Sequence, residues 1–154
     1  MNNKLNFEII DLEQGTDRWP AWRHEGIGAS EASIVVGENP WKTSAELLAE
    51  KCGELGHTEE NASMALGSAM EPQARVRFIS KTGIFVEPAC LQSRKFDWLK
   101  AGVDGISKDF QTVVEIKCGR SVYKTTAQSR QTPFYTYARL GNFQRFCREL
   151  PAWL

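Results

Sequence analysis

The sequence carries no net charge: 154 residues hold 19 Lys and Arg against 19 Asp and Glu. Global charge therefore does not mark nucleic acid as a partner. No apolar run is long enough to cross a membrane, and no signal peptide is read at the start. No repeat, low-complexity stretch or Pro/Gly/Ser-rich linker divides the chain. Residues 1–154 are accordingly read as one domain with a core of its own. Cys52, Cys90, Cys118 and Cys147 form no CxxC pair, which argues against zinc and for free thiols in a reducing, cytoplasmic compartment.

What is present centres on residues 101–118, AGVDGISKDFQTVVEIKC. Val113, Val114 and Ile116 are strand formers, and side chains alternate along a strand, so Glu115 and Lys117 share one face. Asp104 precedes Gly105 in a turn-prone pair. If the flanking strands pair as a hairpin, Asp104 lies beside Glu115. Two carboxylates and an ammonium on one patch make a candidate site for a hard cation such as magnesium or manganese. The following stretch is basic: residues 119–150 hold Arg120, Lys124, Arg130, Arg139, Arg145 and Arg148 against Glu149 alone. A local basic patch can bind phosphates in a neutral protein, and a solvated face is the alternative of equal weight.

The rest of the chain alternates helix and strand signals. FEIIDLE near the start reads as a short strand or arm, and Thr16 as the N-cap of a helix with Trp19, Trp22 and Arg23 on one face. Two tryptophans on one face are usually core. Ser30 reads as an N-cap for a short helix over 31–36 ended by Gly37, and a helix N-terminus can hold an anion. Thr43 and Glu46 form a capping box for a helix reaching Lys51. A longer helix spans 62–81, with Leu66, Met70, Ala74 and Phe78 as its core stripe and Pro72 as a kink. Glu71, close to that stripe, calls for a partner or a metal, with a solvated surface glutamate as the default when it is taken alone. Strands over 84–88, 94–99, 101–107 and 111–118 suggest an antiparallel meander. The fold class is α+β, with helices packed around a mainly antiparallel central sheet.

Several of these residues also form a spaced series: Gln14-Gly15-Thr16-x-x-Trp19-x-x-x-Arg23, Ala29-Ser30-Glu31, Gly67-x-x-x-Glu71-Pro72, Asp104-Gly105 and Glu115-x-Lys117-Cys118. In that order they resemble the YqaJ-type viral recombinase family, to which phage lambda exonuclease is related, within the PD-(D/E)xK nuclease superfamily. The resemblance runs over about residues 7–137. It implies a restriction-endonuclease-like core and a Mg2+-dependent deoxyribonuclease, with Mn2+ able to substitute. The activity implied is 5′-to-3′ exonuclease action on duplex DNA ends in phage-type homologous recombination. By position, Asp104 and Glu115 match the metal-binding carboxylates, the Ile116 main-chain carbonyl completes their set, and Glu71 matches a supporting helix glutamate. Lys117 matches the lysine that orients or helps deprotonate the attacking water. Two ions in such sites sit ~3.5–4 Å apart, bridged by a shared carboxylate, here Asp104. Arg23 and Ser30 match residues that hold the terminal 5′-phosphate of DNA.

The same resemblance implies double-stranded DNA as partner, a single-strand annealing protein, a ring-shaped homotrimer, and the cytoplasm of a bacterial host with phage or prophage as source. The sequence departs from the family pattern in places. Gly102-Val103 stand where a serine or threonine is common, and Gly119 where proline often follows Lys-Cys. Ala138-Arg139-Leu140-Gly141 replace a glutamine-bearing helix, and the chain stops at Leu154 where members of the family run further. A C-terminally shortened form, natural, truncated or frame-shifted, is the reading of that ending. The rival functions are a DNA-binding or regulatory homologue that has lost catalysis, and an endonuclease of the same superfamily.

Overall fold

The computed structural model describes residues 5–56 and 61–118. In chain order these form strand β1 (Phe7–Ile10), helix α1 (Arg18–His24), the short strand β2 (Ile27–Gly28), a 3-10 turn (Ala29–Glu31) and helix α2 (Ala32–Val35). Helices α3 (Ser44–Lys51) and α4 (Ala62–Thr82) follow, then strands β3 (Val86–Ser93), β4 (Leu99–Ser107) and β5 (Val113–Val114). The strands form one open sheet in the order β1-β3-β4-β2, with β5 also paired to β4. Only β2 runs parallel to its neighbour, so the sheet is mainly antiparallel and the α+β class holds. The expected basic segment over 119–150, with Arg139, and the tail lie outside the described residues.

The boundaries follow local chemistry. Thr43 caps α3 as expected, its hydroxyl accepting from the Glu46 N–H at 3.2 Å while the Glu46 carboxylate accepts from the Thr43 N–H at 2.7 Å. Asn61 caps α4 by accepting from the N–H groups of Ser63 and Met64, each at 3.0 Å, and Gly83 ends it at φ 73°. Two expected caps are corrected. The Thr16 hydroxyl donates to the Glu13 carbonyl at 2.7 Å, so the chain turns there without a side-chain cap on α1. Ser30 sits inside the 3-10 turn and faces Arg23 instead of capping α2.

The strand expected over 94–99 is mostly a reversal. The Ser93 hydroxyl accepts from the N–H groups of Lys95 and Phe96, both at 3.2 Å, and this local bond turns the chain from β3 into β4. The core lies on one face of the sheet, where Phe7, Leu91, Ala101, Val103 and Ile106 cluster. The Phe110 ring meets Phe7 edge-on at 5.8 Å, which helps hold Phe110 in the left-handed region at φ 60°, a conformation costly for a bulky residue. The tryptophans of α1 are half-buried rather than core, and each carries a cation: the Arg23 guanidinium lies 4.7 Å from the Trp19 ring centroid and the Lys100 ammonium 5.2 Å from that of Trp22.

Helix α4 covers the expected span with Pro72 inside it, but its core stripe differs from expectation: no residue is fully buried, and Leu66 and Met70 are exposed while Ala74 and Phe78 are half-buried. The face with lower exposure runs through Gly67, Glu71, Ala74, Arg75, Phe78 and Ile79. Apolar spacing alone misjudged the rotation because the middle of the inward face is an ion pair.

A bulge in β4 is the main feature that shapes the site. Glu87 pairs with Ile106 and Ala89 with Val103, so Asp104 and Gly105 together stand opposite Pro88. Proline has no N–H to give the ladder, and an extra residue on the facing strand accommodates it. The extra residue also shifts the side-chain phase by one, which puts Ile106 on the core face with Ala101 and Val103. Gln14 bridges both strands beside the bulge, its side-chain amide donating to the Ala89 carbonyl at 3.1 Å and the Val103 carbonyl at 2.9 Å.

Candidate active site

The β4–β5 hairpin brings the two strand acids together. Gly105 pairs with Val114 and Ile106 with Val113, and one further step in that register sets Glu115 across from Asp104. The hairpin, its reversal after Ser107 and this neighbour relation agree with the sequence reading; the turn-prone pair Asp104-Gly105 lies within β4, and the reversal falls at 108–112. There the Asp109 carboxylate accepts from the Ser107 hydroxyl at 2.6 Å and the Gln111 N–H at 3.1 Å.

Asp104 is 8 % exposed, and its Oδ2 accepts the Ile116 N–H at 2.6 Å. Its carboxyl is pushed up to about 6, first by burial and then by the negative charge of Glu115. The Ile116 hydrogen bond opposes the shift; Glu71 adds to it, and Lys117 reduces it. Burial raises the neighbouring Cys118 thiol as well, reinforced by Glu71 and Asp104. Glu71, Asp104, Glu115 and Lys117 therefore share one electrostatic environment, although they come from a helix, a strand and the segment after β5.

Each remaining acid leans on a side-chain cation: the Lys117 ammonium bonds the Glu115 carboxylate and the Arg75 guanidinium bonds Glu71. Among the described residues, no three acid, histidine or cysteine side chains stand as one ready-made metal cluster. The donor set nevertheless suits a hard divalent cation in charge and kind. It offers carboxylate oxygens, and burial together with the charge of Glu115 keeps Asp104 raised, a penalty that added positive charge would relieve.

Arg75 was not singled out in the sequence. Its Nε donates to the Asp104 carbonyl at 2.7 Å while its other end bonds Glu71, tying α4 to the bulge. The signal that could have found it is the Glu71/Arg75 pair at i, i+4 on one helix.

A second grouping stands at the start of the domain. The Arg23 guanidinium donates to the Ser30 hydroxyl at 3.0 Å, bringing together the two residues matched to phosphate binding. Glu31 and Lys51 support it and were also missed as a unit. The Lys51 ammonium lies 2.9 Å from the Glu31 carboxylate and donates to the Arg23 carbonyl at 3.0 Å, and Glu31 accepts the Gly28 N–H at 2.7 Å. Lys100, nearly fully buried, donates to the Trp22 carbonyl at 2.7 Å and anchors α1 to β4.

An open, mainly antiparallel sheet flanked by helices, with acids and a lysine on a central hairpin, defines a restriction-endonuclease-like α+β domain. The chain belongs to the YqaJ-like viral recombinase domain family, whose model matches residues 18–138. It is 32% identical over 108 residues to the uncharacterized protein YqaJ of Bacillus subtilis (strain 168), covering 68% of this chain and 34% of that protein. The chain thus spans about a third of the length of this curated relative. Among solved structures it resembles LHK-Exo in complex with dAMP, at a TM-score of 0.68 and 26% identity, covering 81% of this chain and 65% of that one. The structure of LHK-Exo, an alkaline exonuclease from Laribacter hongkongensis, gives a TM-score of 0.66 at 26% identity, with 80% and 64% covered.

Proposed function

We propose that this chain is an alkaline-exonuclease-like nuclease domain: a metal-dependent deoxyribonuclease that degrades double-stranded DNA from its ends, 5′ to 3′, in phage-type homologous recombination. The observation that carries the reading is the buried, raised Asp104 beside Glu115 and Lys117 on one hairpin, with Glu71 acting on the same spot. Asp104, Glu115, the Ile116 carbonyl and Glu71 would hold Mg2+, with Mn2+ able to substitute. A divalent ion there would supply an acidified water and charge relief at the phosphate. Lys117 brings a positive donor that can orient the attacking water. Arg23 contributes a permanently charged fork and Ser30 a hydroxyl, donors suited to a terminal 5′-phosphate.

The test is a Mg2+ titration on linear duplex DNA, with a covalently closed circle alongside and Asp104→Ala and Lys117→Ala as controls. The expected result is degradation of the linear duplex only, dependent on metal and lost in both variants. Cleavage without metal, or in either variant, would overturn the assignments, and cutting of the circle would turn the reading to an endonuclease. One observation favours a second reading: the cations on Glu71 and Glu115 also suit a DNA-binding homologue that has lost catalysis. That reading requires salt-sensitive DNA binding with no cleavage at any metal concentration.

A further inference from the structure

Arg75 spends two different nitrogens on two different elements. Nε reaches the carbonyl of Asp104, within the bulge opposite Pro88, and Nη2 reaches the Glu71 carboxylate one turn back on α4. The guanidinium is planar and its donors are fixed relative to one another, so a bond at one end sets the direction of the other. Helix α4 buries no residue fully, so apolar packing does little to define its rotation against the sheet. We propose that Arg75 is the positioning residue of the site: it fixes α4 against the β4 bulge and so sets where the Glu71 carboxylate stands relative to Asp104. The inference rests on the nuclease reading above, because it concerns the helix member of that donor set.

The bulge makes the arrangement specific. The proline across the sheet can give Asp104 no backbone N–H, and the arginine on the helix takes that carbonyl instead. The strand irregularity that aims the Asp104 side chain therefore also supplies the anchor for Glu71. A lysine would keep the charge but lacks the rigid fork, so it cannot hold both partners in the same relation.

The experiment uses the full chain with Arg75→Lys and Arg75→Ala. Mn2+ binding is measured by calorimetry without DNA, and cleavage kinetics on linear duplex are measured separately. Groups that orient metal ligands typically matter by about 10–100-fold, and Arg75→Lys is expected to weaken Mn2+ binding and lower kcat in that range. KM for DNA should stay within about twofold, since the Arg23 and Ser30 contacts are untouched. Glu71→Gln combined with Arg75→Lys should be no worse than Glu71→Gln alone, because both remove one function. A merely structural arginine would instead lower the melting temperature, leave the Mn2+ affinity of the folded protein unchanged, and add to Glu71→Gln. Wild-type Mn2+ affinity in folded Arg75→Lys, or additivity with Glu71→Gln, overturns the proposal. If the wild type binds Mn2+ but leaves DNA intact, the nuclease reading falls alone and the affinities still decide the role of Arg75. If it binds no Mn2+, both fall.

Discussion

The Asp104 carboxylate accepts the backbone N–H of Ile116 at 2.6 Å, so the acid of one strand is tied to the main chain beyond the next. The bond fixes one carboxylate oxygen and the spacing between the two chains. It does not cancel the burial and like charge that leave Asp104 titrating at about 6. A buried acid held in that state costs stability in the metal-free protein at neutral pH.

The sign of that cost gives the first prediction. The native pKa of about 6 lies above the ordinary 3.8, so between those values the folded state binds more protons than the unfolded one. The Asp104 contribution to stability should therefore be highest below about pH 4, fall as pH rises, and level off above about 6. The penalty at pH 7.5 is about 3 kcal/mol, which corresponds to several degrees in Tm for a chain of this size. Asp104→Asn keeps an acceptor for Ile116 and removes the charge. In EDTA its Tm should match the wild type at pH 4 and exceed it by at least about 5 °C at pH 7.5. Thermal melts across pH check this, and a constant difference at all pH values would contradict it.

Lys117 should separate chemistry from binding. Its ammonium bonds Glu115 and stands in the field of Asp104, while the Arg23–Ser30 grouping lies on other elements. Lys117→Ala should lower single-turnover cleavage by about 10²–10⁴-fold, the usual span for a proton-transfer group. Affinity for a duplex end, read by fluorescence anisotropy in Ca2+, should change by less than about threefold, a few tenths of a kcal/mol. An equal loss in both would make Lys117 a DNA-binding group.

What the sequence made legible was mostly local. The Thr43/Glu46 box, the 62–81 span of α4 and the β4–β5 hairpin follow from short-range rules, and they were readable. The bulge was not, because Pro88 and Asp104 are remote in sequence and only the sheet register sets them opposite one another. That one long-range fact brought Ile106 into the core. The α4 stripe was misjudged for a related reason: Arg75 makes a charged face the inward one, against the apolar periodicity. Arg23 and Ser30 were named together only through the family resemblance; their direct contact, which Glu31 and Lys51 support from the intervening segment and from α3, was not readable.

Gly105 should tolerate no side chain. A Cβ there would lie 2.8 Å from Val86 Cγ2, 3.1 Å from Val86 Cβ and 3.3 Å from Val114 Cβ, and Val86 is only 1% exposed. The obstacle is crowding between strands. Gly105→Ala should cost about 1–3 kcal/mol in urea unfolding. Adding Val86→Ala should recover part of that loss, so the double variant should be more stable than the sum of the singles. Strict additivity would mean that the sheet relaxes elsewhere.

The Arg23–Ser30 contact predicts a preference for one kind of DNA end. The hydroxyl accepts from the guanidinium at 3.0 Å, so its own proton remains to donate to another acceptor. On the proposed function a terminal 5′-phosphate would meet both donors, and a 5′-hydroxyl end offers no such anion. Hydrogen bonds to a charged group contribute about 1.5–3 kcal/mol, so wild-type protein should digest 5′-phosphorylated ends about 10–100-fold faster than 5′-hydroxyl ends. Arg23→Ala should bring the two rates within about twofold by lowering the first and sparing the second. Ser30→Ala should do so in part. Lys51→Met, which removes the bond to the Arg23 carbonyl at 3.0 Å without touching either donor, should shift the ratio in the same direction by less. Initial rates on the two end types, measured in parallel for all four proteins, decide it. A ratio unchanged in Arg23→Ala would assign end recognition to other residues and leave the Arg23–Ser30 contact as a structural link between α1 and the 3-10 turn.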